Sequence, residues 1–294
     1  MVVQRYNLSE SRIRGRKMSR KLFCQINPLT YKISLMKQMI QRYLIWIFDN
    51  KKYAKTFSDN KLPILAYKHK SLIRRTLGNV DVELQNNKAT NLEITTPKVN
   101  NIIIRPKETF SFWKLVGGCS SKKGYLEGLV IKGGMVDKGV GGGMCQFTNL
   151  IHWMILHSPL DIVEHHHHNC IDLFPDFNRQ IPFGTGTSIM YNYLDYQFTN
   201  NTDNTFQIKI YTTNTHLCGE LRCLNELENS YHVVEENHYY SNETDGYYRN
   251  NEIYRKVINK QTGNLINKEL IIRNHSKVMY DYSYISKDKI RDIS

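Results

Sequence analysis

Apolar positions change period along the chain, and each change predicts a different element. From Ser34 to Phe48, Leu35, Met36, Met39, Ile40, Tyr43, Leu44, Ile47 and Phe48 recur at helical spacing. Lys37, Gln38, Gln41 and Arg42 lie between them, Ser34 is a candidate cap, and Trp46 stands near the end. This predicts a basic amphipathic helix, either packed on the protein's own core or lying in an interface. Short strand-like runs follow at Ile102-Ile103-Ile104 and at Leu129-Val130-Ile131, the latter ahead of a turn at Gly133-Gly134. A helix is predicted to begin near Cys145, with Phe147, Leu150, Ile151, Met154 and Ile155 on one face and Ser158-Pro159 stopping it. Leu160 to Glu164 reads as a strand running into four consecutive histidines.

Beyond that point the period falls to two. Phe206, Ile208 and Ile210 alternate with polar residues after the turn Asn200 to Asn204, which predicts a hairpin with Leu194 to Thr199. A second hairpin is predicted where Ile253 to Asn259 and Leu265 to Ile272 flank Gln261-Thr262-Gly263-Asn264. The pattern implies an α+β fold, mostly antiparallel strands around one central helix. It divides the chain into a basic segment (1–61), a main domain (62–273) and a loosely patterned tail (274–294).

Charge sharpens the picture at one end. The net charge is +13, yet residues 1–75 hold 18 Lys and Arg against Glu10, Asp49 and Asp59, so this quarter carries +15 and the remainder −2. Such a segment suits a surface of closely spaced negative charge, and the helix pattern favours an anionic membrane over nucleic acid. The amino terminus lacks the apolar core of a secretory signal and no run of 18 apolar residues occurs, so a cytoplasmic or membrane-peripheral protein is expected. The six cysteines are too sparse for a disulfide framework and read as free thiols.

Candidate chemistry centres on Gly141-Gly142-Gly143-Met144-Cys145-Gln146. Free amides and the positive end of a helix dipole favour a thiolate, so the Cys145 pKa is expected to fall. Glycines let a substrate backbone approach, and the amides of Gly142 to Cys145 could form an oxyanion hole. A thiol nucleophile needs a base, and His165 to His168 follow closely. In a strand His166 and His168 share one face and His165 and His167 the other, so only one pair can look toward Cys145. The bland readings are a small buried cysteine beside a tight turn and an exposed polar histidine loop. A metal site built from the histidines with Cys170 fits poorly, because neighbouring strand residues point in opposite directions. No metal or cofactor is expected.

The chain resembles the VanW family, the accessory proteins of glycopeptide-resistance gene clusters. Its hallmarks here are Arg105-Pro106-x-Glu108-Thr109-Phe110-Ser111-Phe112-Trp113, Gly124-Tyr125-x-Glu127-Gly128-Leu129 and Gly141 to Gln146. Asn149-Leu150, Trp153, Leu156-His157-x-Pro159-Leu160, His168, Phe174-Pro175 and Asp195 continue the match. Related domains are described as thiol-dependent L,D-transpeptidases, which join peptidoglycan stem peptides through an acyl-enzyme. By that resemblance Cys145 is the nucleophile and His168 its base, with Asp195 or Asn169 as the substitute for the family's Asp in orienting the histidine. Gly141, Gly142, Gly143, Met144, Gln146, Trp113 and Asn149 would bind a stem peptide or its precursor. The chain departs from the family at His165, where many members carry Arg, and at Gly186-Thr187-Ser188, where many carry Asp-Ala-Thr. A non-catalytic role, gripping a cell-wall peptide without turnover, is the alternative.

Overall fold

The computed structural model describes residues 22–74, 82–132, 135–167, 171–176 and 181–292. In chain order, α1 (Pro28–Phe48) leads to β1 (Lys52–Tyr53), β2 (Thr56–Phe57), β3 (Ile64–Leu72) and α2 (Val82–Val99). Next come β4 (Ile102–Ile104), β5 (Glu108–Ser111), α3 (Phe112–Val116), β6 (Glu127–Lys132), β7 (Met135–Val140) and α4 (Met144–Leu156). Then follow β8 (Asp161–Glu164), β9 (Ile171–Asp172), β10 (Gln197–Thr199), β11 (Phe206–Thr212) and β12 (His216–Cys223). Three long strands, β13 (Asn229–Glu243), β14 (Gly246–Asn259) and β15 (Leu265–Val278), precede the short β16 (Ile290–Asp292).

The fold is α+β with mostly antiparallel sheets, ordered β1-β5-β10-β8, β2-β4-β11-β12-β3 and β16-β13-β14-β15-β9, plus the hairpin β6-β7. Helix α4 supplies much of the core: Phe147, Leu150, Ile151, Met154 and Ile155 are all buried, in the cluster that includes Ile102, Ile104, Phe198, Phe206, Ile208 and Leu221. The predicted face of that helix is thus the buried one.

Three expectations change. Helix α1 starts six residues before Ser34: Asn27 caps it, accepting from the Thr30 amide at 2.9 Å while the Thr30 hydroxyl accepts from the Asn27 amide at 3.1 Å, with Pro28 in the first turn. Helix α2 was not predicted at all, because the face it buries mixes Leu84, Lys88, Asn91, Leu92 and Thr95 and so shows no apolar period. The hairpin of 194–199 with 206–210 does not form. β10 pairs with β5 and β8, whereas β11 pairs with β12 and β4. The turn itself redirects the chain: the Asn200 side-chain amide donates to the carbonyls of Ile104 (3.1 Å) and Asn204 (2.7 Å), fastening the corner to the neighbouring sheet. The second predicted hairpin is present as β14 and β15 and is longer than the pattern suggested, running through Val278. The chain after it is also ordered into the sheet, since β16 lies parallel to β13.

Candidate active site

The glycine run is a backbone requirement. Gly141 and Gly143 have φ of 81° and 108°, and Gly143 is the N-cap of α4. Gly142 packs so closely on β6 that a Cβ there would lie 2.3 Å from the Gly128 carbonyl carbon. Buried Asn91 of α2 clamps the loop: its amide donates to the carbonyls of Gly142 (2.9 Å) and Leu126 (3.0 Å), and its oxygen accepts from the Leu126 amide (2.8 Å). Asn91→Ala would remove the side-chain partner of the Gly142 carbonyl and of the Leu126 amide, while the Leu126 carbonyl keeps the Gly141 amide at 2.9 Å. We expect a loss of about 2–3 kcal/mol, read by urea denaturation.

This loop delivers Cys145 to the first turn of α4, half-buried, in the wall of a cleft of about 1330 Å³. Burial pushes the thiol pKa up, against the opposing pull of the Ile189 amide and of the cysteine's own amide. The expected fall is therefore not seen in the free protein: desolvation outweighs the helix amides, and the resting group is a thiol. The Gly142 amide donates to the Gly139 carbonyl at 3.2 Å, leaving the amides at the start of α4, from Gly143 to Cys145, as those that could meet an oxyanion.

Gln146 and Asn149 line the same cleft and also brace it. The Gln146 amide donates to the Ser71 hydroxyl (2.9 Å) and the Leu72 carbonyl (2.8 Å), pinning α4 to β3. The Asn149 oxygen accepts from the amide (2.6 Å) and hydroxyl (2.9 Å) of Thr187, fixing the opposite wall. Trp113 is buried at the cleft edge, its indole donating to the Leu194 carbonyl at 2.9 Å. Met144 is buried, its sulfur accepting from the Thr95 hydroxyl at 3.2 Å.

His168 lies outside the described residues, as do Asn169 and Cys170. Among the described residues Cys145 makes no hydrogen bond to an imidazole. His165 stacks on His152 of α4 with ring centroids 4.1 Å apart, meets His167 edge-on at 4.0 Å, and bonds the Gly186 carbonyl through Nε2 at 3.1 Å. Burial holds His152 down to about 3 and His165 well below the ordinary histidine value, so both are neutral near pH 7. No group of three or more His, Cys, Asp or Glu placed to hold a metal occurs among the described residues.

Asp195 is buried away from the cleft lining. Its carboxylate accepts from the Ser111 hydroxyl (2.5 Å), the amides of Trp113 (3.0 Å) and Tyr196 (2.8 Å), and the Gln197 side chain (3.0 Å). Desolvation raises its pKa, and the bond from Ser111 is the largest force against that. This geometry holds the start of α3, and Trp113 with it, rather than an imidazole. Glu164 braces the Asp195 strand end from outside, accepting from the Asp195 amide at 2.9 Å and from His166 at 3.0 Å.

Sequence reasoning missed the basic side chains that line the cleft. Lys70, Lys88, Lys123, His69 and His216 line it, and no Asp or Glu does so among the described residues. The Lys88 stem lies against Gly143, and its ammonium donates to Gln85 at 2.7 Å. Lys88 sits in the unpredicted helix and carried no signal. His152 did carry one, seven residues and so two helical turns beyond Cys145 on the same face.

Fold and site together describe a thiol carried at a helix start beneath a glycine loop in a lysine-lined cleft, and similarity to known proteins supports membership of the VanW family. The family model described as VanW like protein matches residues 87–222, from α2 to β12. The chain is similar to the vancomycin B-type resistance protein VanW of Enterococcus faecalis, at 29% identity over 263 residues, 90% of this chain and 95% of the relative. It is also similar to the uncharacterized protein YoaR of Bacillus subtilis, at 28% identity over 113 residues, 37% of this chain and 34% of the relative. No solved structure matches significantly.

Proposed function

We propose that the protein acts in peptidoglycan metabolism linked to glycopeptide resistance, as a thiol-dependent acyl transferase of the L,D-transpeptidase type. The observation that carries this reading is the position of Cys145, at the first turn of α4 in the wall of a roomy cleft lined by lysines and histidines. Such a lining suits a peptide with a free carboxylate, as a cell-wall stem peptide or its precursor has. The resistance link is supported by similarity to the Enterococcus faecalis protein along nearly its whole length.

In the proposed reaction the Cys145 sulfur attacks a peptide carbonyl and forms a thioester. The thiol proton passes to a base, assigned by family resemblance to His168, and from it to the departing amine. An acceptor amine then attacks the thioester, restoring the thiol and forming a new amide. Amides at the start of α4 would face the tetrahedral oxyanion. Because the free thiol is held high, the base has to take its proton as the carbon–sulfur bond forms.

The raised thiol is the specific observation that favours a second reading, a stem-peptide-binding accessory protein without turnover. Incubation with soluble stem-peptide fragments and intact-mass spectrometry separates the two. The enzyme reading expects an acyl adduct on Cys145, absent in Cys145→Ala, and new amide product slowed by roughly a thousandfold or more in that variant. Equal peptide affinity for wild type and Cys145→Ala, with no adduct on either, would establish the binding reading instead.

A further inference from the structure

Helix α1 presents its apolar side away from the protein. Leu35, Met39, Arg42 and Trp46 are half-buried, and Trp46 packs against the main core. On the opposite side Leu29 (65% exposed), Ile33 (43%), Met36 (59%), Ile40 (54%), Leu44 (48%) and Ile47 (70%) form one stripe. Their spacing of four, three, four, four and three residues keeps them within about a quarter of the helix circumference over some 30 Å of its length. No residue of α1 is fully buried. The expectation of a helix packed by its apolar stripe on its own core is not what the geometry shows.

Charge selects the occupant. The helix contains no Asp or Glu, Lys32 and Lys37 flank the stripe, and the first 75 residues carry 18 basic against three acidic side chains. A second copy of this surface would set lysines against lysines. Closely spaced anionic headgroups over an apolar layer would satisfy both the stripe and its lysines. No described helix is long and apolar enough to cross a membrane, so the geometry is that of a helix lying in the interface.

We propose that α1 is an interfacial anchor that seats the protein on anionic lipid and holds the cleft beside that surface. The coupling to the body is specific. The Arg42 guanidinium grips Glu164 through two bonds of 2.6 and 2.5 Å and donates to the Tyr193 carbonyl at 2.9 Å. Tyr43 meets Tyr191, a cleft residue, through their hydroxyls at 3.0 Å. Arg42 is thereby engaged within the protein, and the lipid contact falls to the stripe and its flanking lysines. Joined to the reading of Cys145 above, this placement implies a substrate presented at the lipid surface, but lipid binding stands or falls without any activity being measured.

The test is flotation of the full chain with phosphatidylcholine vesicles, with and without about 30% phosphatidylglycerol. Wild type is expected to float with the anionic vesicles and to bind pure phosphatidylcholine at least about tenfold more weakly. Met36→Glu/Ile40→Glu, at exposed positions that should leave the fold intact by circular dichroism, is expected to lose the anionic binding by tenfold or more; Ile33→Glu/Leu44→Glu should repeat the loss. No binding by wild type overturns the proposal. So does undiminished binding by either variant, which would assign the attraction to the basic charge alone. A wild-type dimer that these substitutions dissociate, without lipid binding, would overturn it in favour of self-association.

Discussion

Gly142→Ala is expected to destabilise the protein by about 3 kcal/mol or more, at the upper end of what a single added methyl does in a packed site. The added carbon would lie 2.3 Å from the Gly128 carbonyl carbon and 2.6 Å from its Cα. Both are backbone atoms, and no rotamer change can move them. β6 cannot retreat either, because Gly128 is in register with Gly139 of β7 and the preceding Leu126 is held by Asn91. The neighbouring positions make useful contrasts. At Gly143 a Cβ meets the flexible stem of Lys88, 2.5 Å away, so the cost there divides between a side-chain shift and the positive φ. At Gly263, in the β14–β15 turn, nothing lies within 4 Å and only the φ of 71° is strained, so Gly263→Ala should cost about 1 kcal/mol. Urea denaturation of the three variants orders these costs. A Gly142→Ala protein within about 1 kcal/mol of wild type would show that loop and hairpin can separate, and the close fit on which Cys145 depends would lose its meaning.

That loop also shows how far residue patterns reached. Three glycines before a cysteine that opens an apolar-faced helix identified α4, and each feature is local: chain reversal needs positive φ, and the buried face repeats every three to four residues. What holds the loop was not legible. Asn91, Lys88 and Gln85 come from a helix whose buried side is half polar, and a polar residue is buried only when a distant partner satisfies it. The same limit explains the missed strand order. Gln197 to Thr199 have a strand's composition, but whether they pair with β11 or with β5 depends on Asn200 binding the Ile104 carbonyl 96 residues away. The hairpin of β14 and β15 needed only its own turn and was read correctly. Cys145 illustrates a third kind of limit. The helix start that favours a thiolate is local, whereas the burial that opposes it is tertiary and prevails in the free protein.

Acid should unfold the protein in two stages, the first set by histidines rather than carboxylates. His152, His157 and His165 have folded pKa values below the ordinary 6.5, by burial foremost: about 3 for His152, about 4 for His157 and well below 6.5 for His165. A group with a depressed folded pKa stabilises the fold above its unfolded value and loses that contribution as pH falls. The unfolded chain therefore binds these protons first, and stability declines from pH 6.5 downward. By pH 5, His152 and His157 together account for a loss of up to about 4 kcal/mol, at about 1.4 kcal/mol for each unit of separation. The second stage belongs to Glu164. Burial works to raise its pKa, but hydrogen bonds from His166 and Arg42 prevail and hold it at about 2 against an ordinary 4.5. Its contribution is intact above pH 4.5 and disappears toward 2, where the Arg42 clamp between α1 and β8 is released. Asp195 acts with the opposite sign, since its raised pKa lessens stability as pH climbs above its ordinary 3.8. Urea midpoints at pH 7.5, 6 and 5 test the first stage, and His152→Gln should flatten the slope between 6.5 and 5 by removing one of the titrating rings. Stability that stays level over that interval would mean that His152 of α4 and the His165 ring stacked on it reach water in the folded protein.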